Sequence, residues 1–250
     1  MRTASRTPPA ESSLAPRPAS IEDTTQTAQT PRARPGHVRP LDSDETTRWP
    51  IRVSTLSVDE LQQRFQVRAV AYHGLRAALA HAGRLDQVQA AVPPSAAQLL
   101  RRPPTMWRWA PALAFQHVLW ALEQVTDATQ MQRIGLDTVT LGPLRWALPA
   151  IRASVAATRR DPHALLSGLC RGVTPHLRGI TLTSRRLGPR RGELGVRYEW
   201  LQHVTPAAFV FWEGVASLAL DLARVTGVVV TTSSEIADEG VIGILHVDWD

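Results

Sequence analysis

The 250-residue chain has no lysine, no asparagine and a single cysteine, Cys170. Each absence excludes a chemistry. Without lysine there is no Schiff-base catalysis and no phosphate-binding loop of the glycine–lysine type. Without asparagine there is no acceptor for N-glycosylation. One cysteine cannot make an internal disulfide or a zinc site built on several thiolates. Long apolar runs are also missing: the nearest, Pro206 to Leu220, is interrupted by Glu213 and followed by Asp221. It reads as a buried helix, not a membrane span. Met1 to Ser20 carries arginine and proline but no apolar signal core. The expectation is therefore a cytoplasmic protein that does not engage a membrane.

All 28 basic residues are arginine, set against 22 acids for a formal charge of +6. An arginine-only complement fits the codon bias of a GC-rich bacterial genome. The charge is compatible with an anionic partner without demanding one. Apolar residues make up 44% and charged residues 20%, which is ordinary for a globular chain long enough to bury a core. Residues 1–48 are rich in Pro, Ser, Thr and Arg. This stretch cannot bury enough surface to offset its ordering entropy and reads as a disordered tail. Its seven arginines nearly balance its six acids, which argues against a basic nucleic-acid arm.

Residues 49–250 read as one α+β domain, helical over 57–178 and sheet-bearing over 179–250. Trp49 to Val53 suits a short strand. Ser57 followed by Glu60 is a capping box opening a helix to about Ala82, which Gly83 ends. Further helices are expected over Leu85–Ala91, Ser95–Arg102 and Ala110–Val125, and another, capped by Thr126 or Asp127, runs to about Ile134. Leu144–Thr158, with Pro149 bending it or marking its true start, and His163–Leu177 complete the helical half. At Ile180 the period changes to two. Ile180, Leu182 and Ser184 alternate with Thr181, Thr183 and Arg185, and Leu194, Val196, Tyr198 and Trp200 return after Gly188-Pro189-Arg190-Arg191-Gly192. Thr205 is the expected cap of a helix over Pro206–Val225, with Gly227 just past its end. Val228–Thr232 and Val241–Trp249 then pair across an acidic loop through Glu235, Asp238 and Glu239. The result is an antiparallel sheet of about four strands covered by a long helix.

Several segments carry a resemblance. Leu99-Leu100-Arg101-Arg102-Pro103-Pro104 ends the run from Leu85, and Met106-Trp107-Arg108-Trp109 follows it. Arg133-Ile134-Gly135-Leu136, the hairpin and Phe211-Trp212-Glu213-Gly214 come after. Together, from about Ser57 to Asp250, they resemble a myxobacterial paralogous domain family of unknown function. More remotely they resemble 4-vinyl-reductase-like and haem–NO-binding-like sensor domains, which end in a comparable glycine-bearing helix and strand pair. The resemblance implies a small-molecule-sensing or protein-interaction module in a regulatory chain. Haem-binding relatives hold the group through a histidine and a Tyr-x-Ser-x-Arg motif, and neither Tyr72 nor Tyr198 begins one. The 4-vinyl-reductase-like domains carry cysteines in the last strand pair, where this chain has Ser234 and Gly243.

No catalytic constellation is visible. The eight histidines (His37, His73, His81, His117, His163, His176, His203 and His246) are not spaced as a metal pair on one helix face. His117, beside Phe115 and Trp120, is the most suggestive, either as a packed histidine or as a ligand contact. Cys170 adjoins Arg171 but lacks a histidine–acid pair to activate it. Ser167-Gly168 and Ser184 lack a nucleophile elbow. The sharper signal is basic: Arg152, Arg159, Arg160, Arg171, Arg178, Arg185, Arg186, Arg190 and Arg191 fall within forty residues holding one acid, Asp161. Arginine pairs phosphate and carboxylate bidentately, but the run has no Phe, Tyr or Trp for base stacking. Eight tryptophans supply large apolar area with a polar handle and suit either a core or a pocket wall.

The expectation is a non-enzymatic bacterial module, without cofactor or metal, that binds a small apolar molecule or an acidic protein partner. Trp120, Trp146, Trp200, Phe211, Trp212 and His117 are its candidate ligand contacts, and Arg185, Arg186, Arg190 and Arg191 its anion contacts. The alternative is a nucleic-acid-associated regulator using those arginines. A homodimer is one arrangement open to it.

Overall fold

The Ser57 capping box forms as its spacing requires. In the computed structural model, which describes residues 56–157, 161–237 and 240–250, Ser57 Oγ accepts from the Glu60 amide and Glu60 Oε2 accepts from the Ser57 amide. The tail and the Trp49–Val53 strand lie outside the described residues. The helix that begins here is not continuous to Ala82. It is divided into α1 (Val58–Arg64) and α2 (Val70–His81) by a strand, β1 (Gln66–Arg68). Helical periodicity hid this break because Leu61, Phe65 and Tyr72 are all core residues whichever way the backbone runs. What extends the chain at β1 is pairing: β2 (Trp109–Pro111) lies on one side and β3 (Leu177–Arg178) on the other, both antiparallel. Such partners are distant in sequence and override local pattern.

Gly83, at φ +66°, ends α2. Next come α3 (Leu85–Ala91), α4 (Pro94–Arg101) and α5 (Ala112–Glu123). Asp127 caps α6 by accepting from the Gln130 amide at 2.7 Å. α6 runs from Ala128 to Thr140, well past Ile134. A 3₁₀ turn (Pro143–Ala147) leads into α7 (Leu148–Ala157), so Pro149 stands in the first turn, where its missing N–H costs nothing. α8 (Pro162–Val173) is followed by a second 3₁₀ turn, Thr174–His176.

The second sheet is antiparallel in the order β4-β5-β7-β6. It comprises β4 (Ile180–Gly188), β5 (Arg191–Glu199), β6 (Gly227–Ala237) and β7 (Gly240–Trp249). The hairpin turns through Pro189 and Arg190, and Gly188 and Arg191 already belong to the strands. Glu235 lies in β6, not in a loop, and Asp238 and Glu239 are outside the described residues. α9 (Pro206–Ala223) covers the inner face, where Val196, Leu245 and Val247 are buried and the Phe209 ring lies directly on Gly243. Two boundary residues of α9 act otherwise than expected. Thr205 makes no side-chain capping bond because its hydroxyl donates to Glu123 across the fold. The left-handed residue closing the helix is Arg224, at φ +59°, while Gly227 opens β6.

α9 is the one helix among the described residues long and apolar enough to cross a membrane, and most of it is buried in this core. Glycine lets it approach α6. A Cβ at Gly214 would run into the Gln132 carbonyl, and one at Gly135 into the Phe211 carbonyl. The two glycine-bearing segments singled out in the sequence are therefore each other's contact surface.

Candidate ligand cavity

Where α2, α5, α6 and α9 converge on the first strands of the sheet, they leave a cavity of about 120 Å³. Its deep wall is buried: Val67 of β1, Phe115, Gln116 and Leu119 of α5, Tyr198 of β5, and Phe211, Trp212 and Val215 of α9. Its rim is half-buried, built from Thr138 and Val139 of α6, Pro143 and Leu144 of one 3₁₀ turn, and His176 and Leu177 of the other. The lining is overwhelmingly apolar because helical and strand periodicities both direct aliphatic and aromatic side chains here. A void lined in this way stays dry and favours apolar guests, and one of about 150 Å³ accommodates benzene or xenon.

The aromatic walls are ordered by one another. Phe115 meets Tyr72 edge-on at 5.4 Å between centroids and Phe211 at 5.7 Å. The Trp212 indole donates to the Tyr198 hydroxyl at 2.7 Å, and Gln116 also hydrogen-bonds that hydroxyl. Complete burial raises the Tyr198 pKa well above the usual phenol range. Gln116 Oε1 is cut off from solvent and has no hydrogen-bond partner among the described residues. At the rim, His176 packs at a tilt against Trp107, ring centroids 5.6 Å apart, and its burial, aided by the Arg68 charge, holds the imidazole pKa below its usual value.

Of the candidate ligand contacts, Phe211 and Trp212 line this cavity. Trp120 packs half-buried against the core away from it, and Trp200 lies over Gly179. His117 is fully buried beside the cavity wall without joining the lining, and burial lowers its pKa to about 4. The Trp146 side chain is outside the described part. Sequence reading missed Gln116, Tyr198, His176 and Val215. Gln116 did leave a signal, being the lone amide in the run Ala-Leu-Ala-Phe-Gln-His-Val-Leu-Trp.

The hairpin arginines are dispersed over carboxylates. Arg185 meets Glu193 at 3.0 Å, Arg186 meets Asp161 at 3.2 Å and Arg191 meets Asp248 at 2.5 Å. Arg190 is exposed beside an open groove between the hairpin tip and the Thr226–Val228 segment. Nothing in this arrangement favours nucleic acid over solvent. Among the described residues, no three His, Cys, Asp or Glu side chains gather as a metal site.

No protein-family model matches the chain, and no curated protein sequence matches it significantly. Solved structures do. A substituted form of the Tt H-NOX protein aligns with a TM-score of 0.51 and 8% identity, covering 73% of this chain and 95% of that one. The Fe(II) unliganded H-NOX protein from K. algicida aligns at 0.50 and 10% identity, over 73% and 96%. The chain has the α+β fold of H-NOX domains. At such identities the likeness concerns the fold alone.

That fold family implies haem, and the residues here do not fit it. The cavity is well below the roughly 300–1,000 Å³ of pockets that hold large ligands. Its lining, among the described residues, contains no arginine to meet propionates. The histidine there packs against Trp107 at the rim, and the Tyr198 hydroxyl is engaged by Trp212.

Proposed function

We propose that the chain is a non-catalytic, sensor-type module that takes up a small apolar molecule of about benzene size. The cavity carries this reading: it is apolar, walled by Phe115, Phe211, Trp212 and Val215, and reaches a half-buried rim. A guest there would touch α6 and its following turn on one side and the Thr174–Leu177 segment on the other, so its presence can be felt by two otherwise separate parts of the fold. The H-NOX-like fold agrees with a sensing role. Kinship with the myxobacterial paralogous family belongs to the same proposal, as does a setting in a bacterial cytoplasmic regulatory chain. An acidic protein partner for exposed Arg190 is its companion.

Calorimetric titration of the full chain with toluene tests the reading. Saturable one-to-one binding that Val215→Phe abolishes, by filling the cavity, is the expected result. Absence of saturable binding, or binding undiminished in Val215→Phe, overturns it.

A further inference from the structure

Buried amide groups in native proteins are almost always satisfied, and an exception calls for an explanation. Gln116 is 3% exposed, stands on the cavity wall, and has an Oε1 without a hydrogen-bond partner among the described residues. The side-chain donor beside it on the wall is the Tyr198 hydroxyl, and that hydroxyl is met by the amide N–H end of Gln116, not by its carbonyl. The neighbouring wall residues Phe115, Leu119, Phe211 and Val215 carry no donor on their side chains. The indole N–H of Trp212 is already given to Tyr198. The amide and the phenol are thus tied together, and the carbonyl end is left over. An unmet buried acceptor carries a desolvation penalty of about 1–3 kcal/mol.

Resting on the cavity reading above, we propose that the ligand carries one hydrogen-bond donor, as a small phenol or alcohol does, and that Gln116 Oε1 receives it. The guest's apolar body lies among the aromatic walls, and its single O–H meets the acceptor that the protein leaves unmet. This makes Gln116 the specificity-determining residue. Sites that hold a buried polar atom for a ligand discriminate strongly against analogues that leave it unpaired.

The test is calorimetry on the full chain and on Gln116→Leu, with phenol against toluene and anisole against ethylbenzene as size-matched pairs. Toluene should bind both proteins, showing that each cavity is intact. The phenol-to-toluene affinity ratio should fall about tenfold in Gln116→Leu, the worth of one net hydrogen bond, with no comparable change for anisole against ethylbenzene. Gln116→Met serves the same purpose if the leucine variant does not fold. An unchanged phenol ratio overturns the inference while leaving the cavity reading standing. A Gln116 dependence for anisole overturns the donor assignment, because anisole can only accept. Failure of toluene and phenol alike on the unaltered protein removes both the cavity reading and this inference.

Discussion

Glu213 Oε1 accepts two hydrogen bonds from Thr231, one from the backbone amide and one from the hydroxyl, each at 2.6 Å. Its other oxygen accepts from Gln132 Nε2 at 2.6 Å. One carboxylate, 6% exposed in the most apolar helix of the described fold, thereby ties α9 to β6 and to α6. Replacement by alanine takes the acceptor away from the half-buried Thr231 amide and Gln132 side-chain amide. Glu213→Ala should cost about 3 kcal/mol, and Glu213→Gln, which keeps an acceptor for Thr231, about 1 kcal/mol. Urea unfolding should give that order of midpoints with an unchanged slope.

The α6–α9 crossing depends on missing Cβ atoms. Gly214→Ala must push the helices apart, because the obstruction is the Gln132 backbone carbonyl and not a movable side chain. A loss of about 3 kcal/mol is expected. At Gly168 on α8, by contrast, an added methyl group would meet nothing within 4 Å. Gly168→Ala should therefore stabilise by about 0.5–1 kcal/mol. Thermal unfolding of the two variants should shift in opposite directions, and equal shifts would contradict the packing described.

His117 sets an acid dependence. Burial lowers its pKa to about 4, from about 6.5 for a free imidazole. The unfolded chain therefore takes up a proton that the folded chain refuses as pH falls from about 6.5 to 4. Stability is lost across that window, reaching about 3 kcal/mol from this group by pH 4. His117→Gln has no such proton to take up. Its stability should fall less than that of the unaltered protein between pH 7 and pH 4.5, as measured by urea unfolding.

The hairpin arginines bear on the nucleic-acid alternative. Arg185, Arg186 and Arg191 already face carboxylates, and all are substantially exposed. Exposed pairs of this kind contribute little each. Arg186→Gln should change stability by less than about 0.5 kcal/mol. Association with duplex DNA at low salt should be weak, without the steep salt dependence of a phosphate-tracking surface.

Much of the architecture was legible because it rests on local rules. The capping box at Ser57, a cap at Thr126 or Asp127, the change of period at Ile180 and the long apolar helix α9 all follow from near neighbours in the chain. β1 was hidden because its partners, Trp109–Pro111 and Leu177–Arg178, lie some forty and more than a hundred residues away. The site was legible only in part. Phe211 and Trp212 stood out by size, but size does not tell which aromatic faces a void. Trp120 and Trp200 pack elsewhere. Val215 and Gln116 become cavity residues only through the convergence of α5 with α9, and the arginine run showed its dispersal over Glu193, Asp161 and Asp248 only once the strands were paired.

The most direct test of the cavity is a crystal structure of the protein under xenon pressure. Xenon is apolar, needs no hydrogen bond and enters dry voids of this size. The expected result is a xenon atom between Phe115, Phe211 and Val215, absent from Val215→Phe. A cavity that stays empty under pressure, or that holds ordered water in place of xenon, would contradict the proposed binding of a small apolar molecule.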